Sequence, residues 1–200
     1  MHLLFLTGHH YAGKSTLAAW LSSQGFIEIA LSTFLREMAL EALHASGHTS
    51  ITMETLTDGK DKPWPLSHEH PTPRDYLKEL GALHREKNVK FLADLCEARV
   101  KDIFAEQPDA SIVISDWRFP HEIEWAEVFA EKHEEVTLSK WRIERPKTDP
   151  SPETIKARGE TEAYIDSLPV DIVLFNGDDR KTLFAKARTL CYKNGHFVLT

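Results

Sequence analysis

Cysteine is scarce in this 200-residue chain, which carries only Cys96 and Cys191. Two such thiols match no metal-ligand spacing, and each falls in an apolar helical pattern, so both read as buried free thiols. That usage suits a reducing compartment, and a cytoplasmic location is expected. Also missing is any apolar run near the ~18–20 residues that a membrane-spanning helix needs, so no membrane partner is expected. The opening MHLLFLTGHH is apolar in part but has neither a basic flank nor a small-residue cleavage site. It reads as a buried strand and not as a targeting signal. Positive charge is in deficit: 24 Lys and Arg against 31 Asp and Glu leave a formal net charge of -7. A dedicated nucleic-acid binder would show a basic face instead. Internal repeats and low-complexity tracts are absent too.

What is present is a chain with 42% hydrophobic residues, enough for a core, and a length that suits one domain with a small lid or insertion. Five apolar runs read as strands: HLLFLT (2–7), FIEIAL (26–31), SIVIS (111–115), EEVTLSKW (134–141) and DIVLFN (171–176). Helical patterns lie between them. The first runs from Lys14 to Ser23, with Leu17, Ala18 and Leu21 on one face and Gly25 as its stop. A second spans 32–45 with Ser32 as N-cap. A third opens at Thr72-Pro73, an N-cap and N1 pair, and ends near His84. Others cover about 88–106, 120–132 and 178–192. This alternation predicts an α/β fold: a mainly parallel five-stranded sheet in three layers, helices on both faces. Residues 46–71 are polar and rich in Gly, Pro and His, and read as an irregular surface insertion. The expected plan is a core of 1–45, 82–145 and 169–200, an insertion at about 46–81, and a charged lid at about 142–168.

GHHYAGKST (8–16) falls directly after a strand and directly before a helix. The spacing G-x-x-x-x-G-K-S there is a phosphate-binding loop, in which backbone N–H groups and the helix N-terminus surround a triphosphate. Gly8 and Gly13 stand where a side chain would obstruct the turn. Lys14 is placed to reach the β- and γ-phosphates and Ser15 to bind Mg²⁺, with Thr16 following. His9, His10, Tyr11 and Ala12 occupy the variable positions, which act through backbone. The donor site predicted is therefore for ATP with Mg²⁺.

Other charged groups fall at the carboxyl ends of strands, where open parallel sheets bind ligands. Asp116 closes SIVIS and is a candidate for the metal's water shell or for orienting an acceptor. Arg118 follows two residues later, with Glu122 within reach as an ion-pair partner. Arg142 and Arg145 follow EEVTLSKW, and Lys147, Lys156 and Arg158 continue the basic character. Phosphoryl transfer gathers such cations around the moving group. Arg74 opens the helix TPRDYLKELG, where an arginine and a helix N-terminus together suit an anion.

Taken together, GHHYAGKST, STFLREMALEAL, TPRDYLKELGALHRE, ISDWRFPHEIEWA and DIVLFNGDDRKTL resemble the phage-type deoxynucleoside monophosphate kinases of the P-loop kinase superfamily. The segments run in that family's order over most of the chain. The most specific are Asp-x-Arg-Phe-Pro-x-Glu at 116–122 and Thr-Pro-Arg-x-Tyr-Leu-x-x-Leu-Gly at 72–81. The resemblance implies phosphotransfer from ATP to a deoxynucleoside monophosphate with Mg²⁺. It implies Lys14 and Ser15 on the ATP phosphates and metal, Arg74, Arg118 and Glu122 at the acceptor, and Asp116 near the metal or acceptor. Arg142 and Arg145 match the arginines after the family's fourth core strand, and Asn176-Gly177 the turn bordering the adenine. The family often has an acidic residue where this chain has Thr33, and a Gln where it has Lys78. Its pattern has no counterpart of 46–71.

Two other readings compete. One keeps the donor chemistry but phosphorylates a hydroxymethylated pyrimidine, in a nucleotide or in DNA, and it alone would make nucleic acid a partner. The other is a nucleotide-dependent switch or ATPase, which would need a positioned water in place of an acceptor pocket. A monomer or a homodimer is expected.

Overall fold

A computed structural model describes residues 1–64, 71–146, 163–177 and 179–193. Lys147, Lys156, Arg158 and the rest of 147–162, the greater part of the expected lid, lie outside them. The chain divides into two compact units, one of 1–29 with 96–200 and one of 30–95.

The larger unit is built on a five-stranded parallel sheet. Its strands are β1 (His2–Thr7), β2 (Ile27–Ile29), β3 (Ser111–Ile114), β4 (Thr137–Glu144) and β5 (Ile172–Phe175). They lie in the order β2-β3-β1-β4-β5. β1 is central, paired in parallel with β3 from His2↔Ser111 to Phe5↔Ile114 and with β4 from His2↔Thr137 to Thr7↔Arg142. The chain lays β2 and β3 on one side of β1 and then crosses to lay β4 and β5 on the other. The strand order thus reverses at β1, and such a switch point opens a crevice beyond the carboxyl ends of the strands.

The alternation of side chains along β1 explains the layers. Leu4 and Leu6 are fully buried against Leu17 and Leu21 of α1 (Lys14–Ser23) and against Leu183 and Ala187 of α7 (Arg180–Lys193). Phe5 points to the opposite face, where its ring meets Trp117 edge-on at 6.0 Å and Trp125 of α6 (Glu124–Lys132) at 6.1 Å. Each such buried Leu or Phe contributes roughly 1.5–3 kcal/mol. The α/β three-layer expectation therefore holds, with every strand parallel.

The smaller unit contains α2 (Leu31–Ala45), α3 (Met53–Thr57), α4 (Pro73–Lys87) and the start of α5 (Phe91–Glu106). Its core is Ala39, Leu43, Ile51, Leu56 and Trp64, with Tyr76, Leu77 and Leu80 of α4 packed on it. The stretch expected to be irregular is thus partly folded. Thr52 and Thr55 form a capping box that starts α3, and Leu56 is fully buried. Thr72 caps α4 as expected, accepting from the Asp75 N–H at 3.3 Å. Ser32 does not cap α2. The helix starts one residue earlier, and the Ser32 hydroxyl accepts instead from Arg36 at 3.1 Å. No described helix is long and apolar enough to cross a membrane.

Candidate active site

The phosphate loop leaves β1 and turns into α1 through two glycines with left-handed backbone. At Gly8, φ is 142°, and a Cβ would overlap the Ile143 carbonyl of β4. At Gly13, φ is 110°, and a Cβ would lie 2.5 Å from the side-chain nitrogen of Asn176. That nitrogen donates to the Ala12 carbonyl at 2.8 Å, and the Asn176 backbone N–H donates to Glu144 at 2.6 Å. Asn176, at the end of β5, thus braces the loop, and its amide fills the space a Gly13 side chain would take, at a φ that already favours glycine.

Inside the loop, Lys14 Nζ donates to the Gly8 carbonyl at 2.6 Å and to the His9 carbonyl at 2.9 Å. The ammonium is held at the centre of the turn. The first bond of α1 runs from Leu17 N–H to the Gly13 carbonyl at 2.9 Å, and no side chain caps the helix. Its N-terminal amides therefore point out of the helix end, where an anion is favoured. Ser15 is exposed on the first turn and Thr16 follows it, partly buried. Tyr11 is 75% exposed with φ of 63°, and its ring lies 4.0 Å from that of His10. Both rings stay on the surface, in keeping with a role for these positions through backbone. His9 faces another way, its Nε2 2.9 Å from Asp166.

The end of β3 adds the acid and an arginine. The Ser115 N–H donates to Ile29 of β2 and the Trp117 N–H to Leu6 of β1, at 3.0 and 3.1 Å. Asp116 stands between these two anchors, half-buried, beside the end of the strand that feeds the phosphate loop. Arg118 is half-buried next to it. Glu122 departs from expectation. It is 4% exposed, and its Oε2 accepts from the backbone N–H groups of Arg118 at 2.7 Å and Phe119 at 3.0 Å. Its carboxylate is committed to the turn, a position that does not favour direct contact with an acceptor. Burial pushes its pKa up to about 7, against those two donors, which lower it; Asp116 nearby raises it further. Cys96 lies on the same side: burial, with Asp116 and Glu122, pushes its thiol well above the ordinary range. Burial pushes Cys191 up to about 12. Both cysteines are buried and free, as expected, and inert as thiols.

β4 extends to Glu144, three residues beyond the expected end, so Arg142 lies within the strand. Its Nε donates to Glu144 at 2.9 Å and its Nη1 to the Asp166 carbonyl at 3.1 Å. Asp166 is therefore gripped by both Arg142 and His9. Arg145, just past the strand, is exposed.

The smaller unit gathers three cations, of which Arg74 alone stands in a sequence context that suits an anion. Arg74 binds Asp61 through Nε and Nη2, and its backbone N–H donates to the Lys60 carbonyl at 2.8 Å. Burial lowers the pKa of Lys60, and the charges of Arg74 and Arg36 lower it further, with Asp61 and Asp58 opposing. Arg36 and Arg74 are thus both close enough to repel Lys60. Beside them a cleft of about 360 Å³ is lined by Thr52, Thr55, Asp58, Lys62, Trp64 and Pro73. Arg36 and Lys60 were missed because they come from a helix and a loop that only the fold gathers. The one hint was the i, i+4 spacing of Ser32 and Arg36.

Mg²⁺ takes hard oxygen ligands and commonly only one or two from protein, the rest being phosphate and water. The Ser15 hydroxyl and the Asp116 carboxylate fit that chemistry. Among the described residues no group of three or more His, Cys, Asp or Glu gathers that could hold a metal.

Fold and loop together define the class, an α/β chain with the P-loop kinase architecture. Among solved structures it is similar to dephospho-CoA kinase from Campylobacter jejuni, with a TM-score of 0.55 and 17% identity over 98% of this chain and 100% of that one. A protein from Thermus thermophilus, TT1252, gives a TM-score of 0.49 and 14% identity over 96% of each chain. The first likeness is one of fold. No protein-family model and no curated protein matches the chain.

Proposed function

We propose that the chain is a Mg²⁺-dependent kinase that transfers a phosphoryl group from ATP to the phosphate of a deoxynucleoside 5′-monophosphate. The observation that carries this reading is the cation cluster of Arg36, Lys60 and Arg74. An ATPase or switch that activates water has no use for it, whereas an acceptor phosphate needs a cationic seat. Asp61 sits on Arg74 in the resting arrangement, and as an exposed carboxylate it is readily displaced by a stronger anion. The neighbouring cleft supplies hydroxyls, a carboxylate and the Trp64 indole, groups suited to a sugar and a base.

On the donor side, Lys14 exchanges its two carbonyl partners for phosphate oxygens as the triphosphate enters the loop. The backbone amides at the start of α1 hold the same oxygens, and Asn176 keeps the loop in shape. Ser15 and Asp116 would hold Mg²⁺, which would supply charge neutralisation on the phosphates. Arg142 and Arg145 are the further cations available to charge that develops during transfer, and Arg118 is a cation for the acceptor.

The test is an assay of labelled transfer from ATP with Mg²⁺. The acceptors are the four canonical deoxynucleoside monophosphates, hydroxymethylated pyrimidine nucleotides, DNA carrying such bases, and dephospho-CoA, the last because of the shared fold. Diphosphate formed from a deoxynucleoside monophosphate is the expected result. Label entering only modified DNA or dephospho-CoA overturns the acceptor assignment. Rapid hydrolysis that no acceptor changes overturns the kinase assignment.

A further inference from the structure

The turn after β3 must deliver two functional side chains, Asp116 and Arg118, within three residues. Its backbone is tied down at nearly every step. Ser115 and Trp117 donate to the flanking strands, and the Trp117 indole N–H donates to the Phe119 carbonyl at 2.8 Å. The Trp117 ring is fully buried against Phe5. Beyond Trp117 the chain has left the strand, which ends at Ile114. There, the next two amides, Arg118 and Phe119, converge on one carboxylate oxygen of Glu122. Pro120 follows, which has no N–H, and opens the 3₁₀ turn that carries Glu122 back beneath the loop.

We propose that Glu122 is a positioning residue whose buried carboxylate holds the Arg118–Phe119 backbone and so aims Arg118 at the carboxyl edge of the sheet. Two amides sharing one oxygen call for an acceptor with two free lone pairs aimed at the turn, which Oε2 of Glu122 supplies. Glu122 thus acts through Arg118 without touching substrate. This rests on the reading of Arg118 as an acceptor-side cation.

Two measurements test it. Amide hydrogen exchange, followed by NMR, reads the Arg118 and Phe119 N–H groups directly. Glu122→Ala should speed their exchange by about tenfold or more while Leu4 and Phe5 in β1 keep theirs, and Glu122→Gln should fall between. Unchanged protection at both amides overturns the proposal. In steady-state kinetics, Glu122→Ala should cut kcat/KM for the acceptor about tenfold or more with KM for ATP within about twofold, and Glu122→Gln should recover part of it. The double variant with Arg118→Ala should be no worse than Arg118→Ala alone. Losses that multiply overturn the proposal. If Arg118→Ala leaves acceptor kinetics intact while the two amides still loosen in Glu122→Ala, the acceptor role of Arg118 fails and the hold of Glu122 on the turn stands. Should Glu122→Ala not fold, Glu122→Gln carries both measurements.

Discussion

Asn176 donates its side-chain amide to the Ala12 carbonyl at 2.8 Å, joining the end of the last strand to the phosphate loop 164 residues earlier. Replacing Asn176 with Ala would leave a buried carbonyl unsatisfied, at a cost of about 1–3 kcal/mol. KM for ATP should rise while KM for the acceptor stays put. Thermal unfolding and ATP titration check this, and an unchanged KM for ATP would remove the bracing role.

Gly8 is closed to any side chain. Gly8→Ala would force a Cβ against the Ile143 carbonyl and impose φ of 142° on an L-residue. Strain and clash together should destabilise the chain by about 2 kcal/mol or more and abolish ATP binding. Denaturant midpoints measure the first effect and calorimetry the second.

Lys14→Ala should lower kcat by about a thousandfold with a melting temperature within a few degrees of wild type. The ammonium bonds the Gly8 and His9 carbonyls within the loop, whereas the core beneath is built of apolar side chains such as Leu4, Leu6 and Leu17. Near-normal turnover in this variant would end the kinase reading.

Glu122 makes stability pH-dependent in an unusual direction. Burial raises its folded pKa to about 7 from the ordinary 4.5, so the folded state holds the proton more tightly than the unfolded one. Stability is therefore highest below about pH 4.5 as far as this group is concerned, and it falls as pH rises towards 7. Roughly 2.5 units at about 1.4 kcal/mol each make the fall roughly 3 kcal/mol. Urea unfolding of wild type and Glu122→Gln between pH 5 and 8 should show the variant gaining on wild type as pH rises. Parallel profiles would contradict the shift.

Lys60→Met removes one charge of the cation cluster and keeps the length of the side chain. KM for the acceptor should rise about tenfold, with KM for ATP within twofold. An unchanged acceptor KM would take Lys60 out of the binding site.

The phosphate loop was legible because every feature it needs is local: an apolar strand, two glycines at set spacing, a Lys-Ser pair and a helix. The extent of β4 was not. Arg142 and Glu144 look like the start of a charged loop, but ladder bonds continue past them, pairing Arg142 with Thr7 and with Val173. The helix α3 was hidden for a similar reason. Five residues carry too little periodicity to announce a helix, and burial of Leu56 stabilises what propensity alone would not. Glu122 illustrates the limit most sharply. In sequence it stands four residues from Arg118 and suggests an ion pair, whereas in the fold it binds the Arg118 backbone.

By itself, then, the sequence determined the alternation of strand and helix and the strand-loop-helix setting of GHHYAGKST. Hydrophobic period, the glycine spacing and the Lys-Ser pair are all written within a few residues, although Ile143 and Asn176 add to what keeps the two glycines bare. The tertiary structure alone decided which charges are spent on the protein and which face outward. Asn176 became a brace, Glu122 an anchor, and Arg36, Lys60 and Arg74 a cluster. The reason is physical: the worth of a polar group depends on its burial and its partner, and here both are supplied by segments that meet only once the chain has folded.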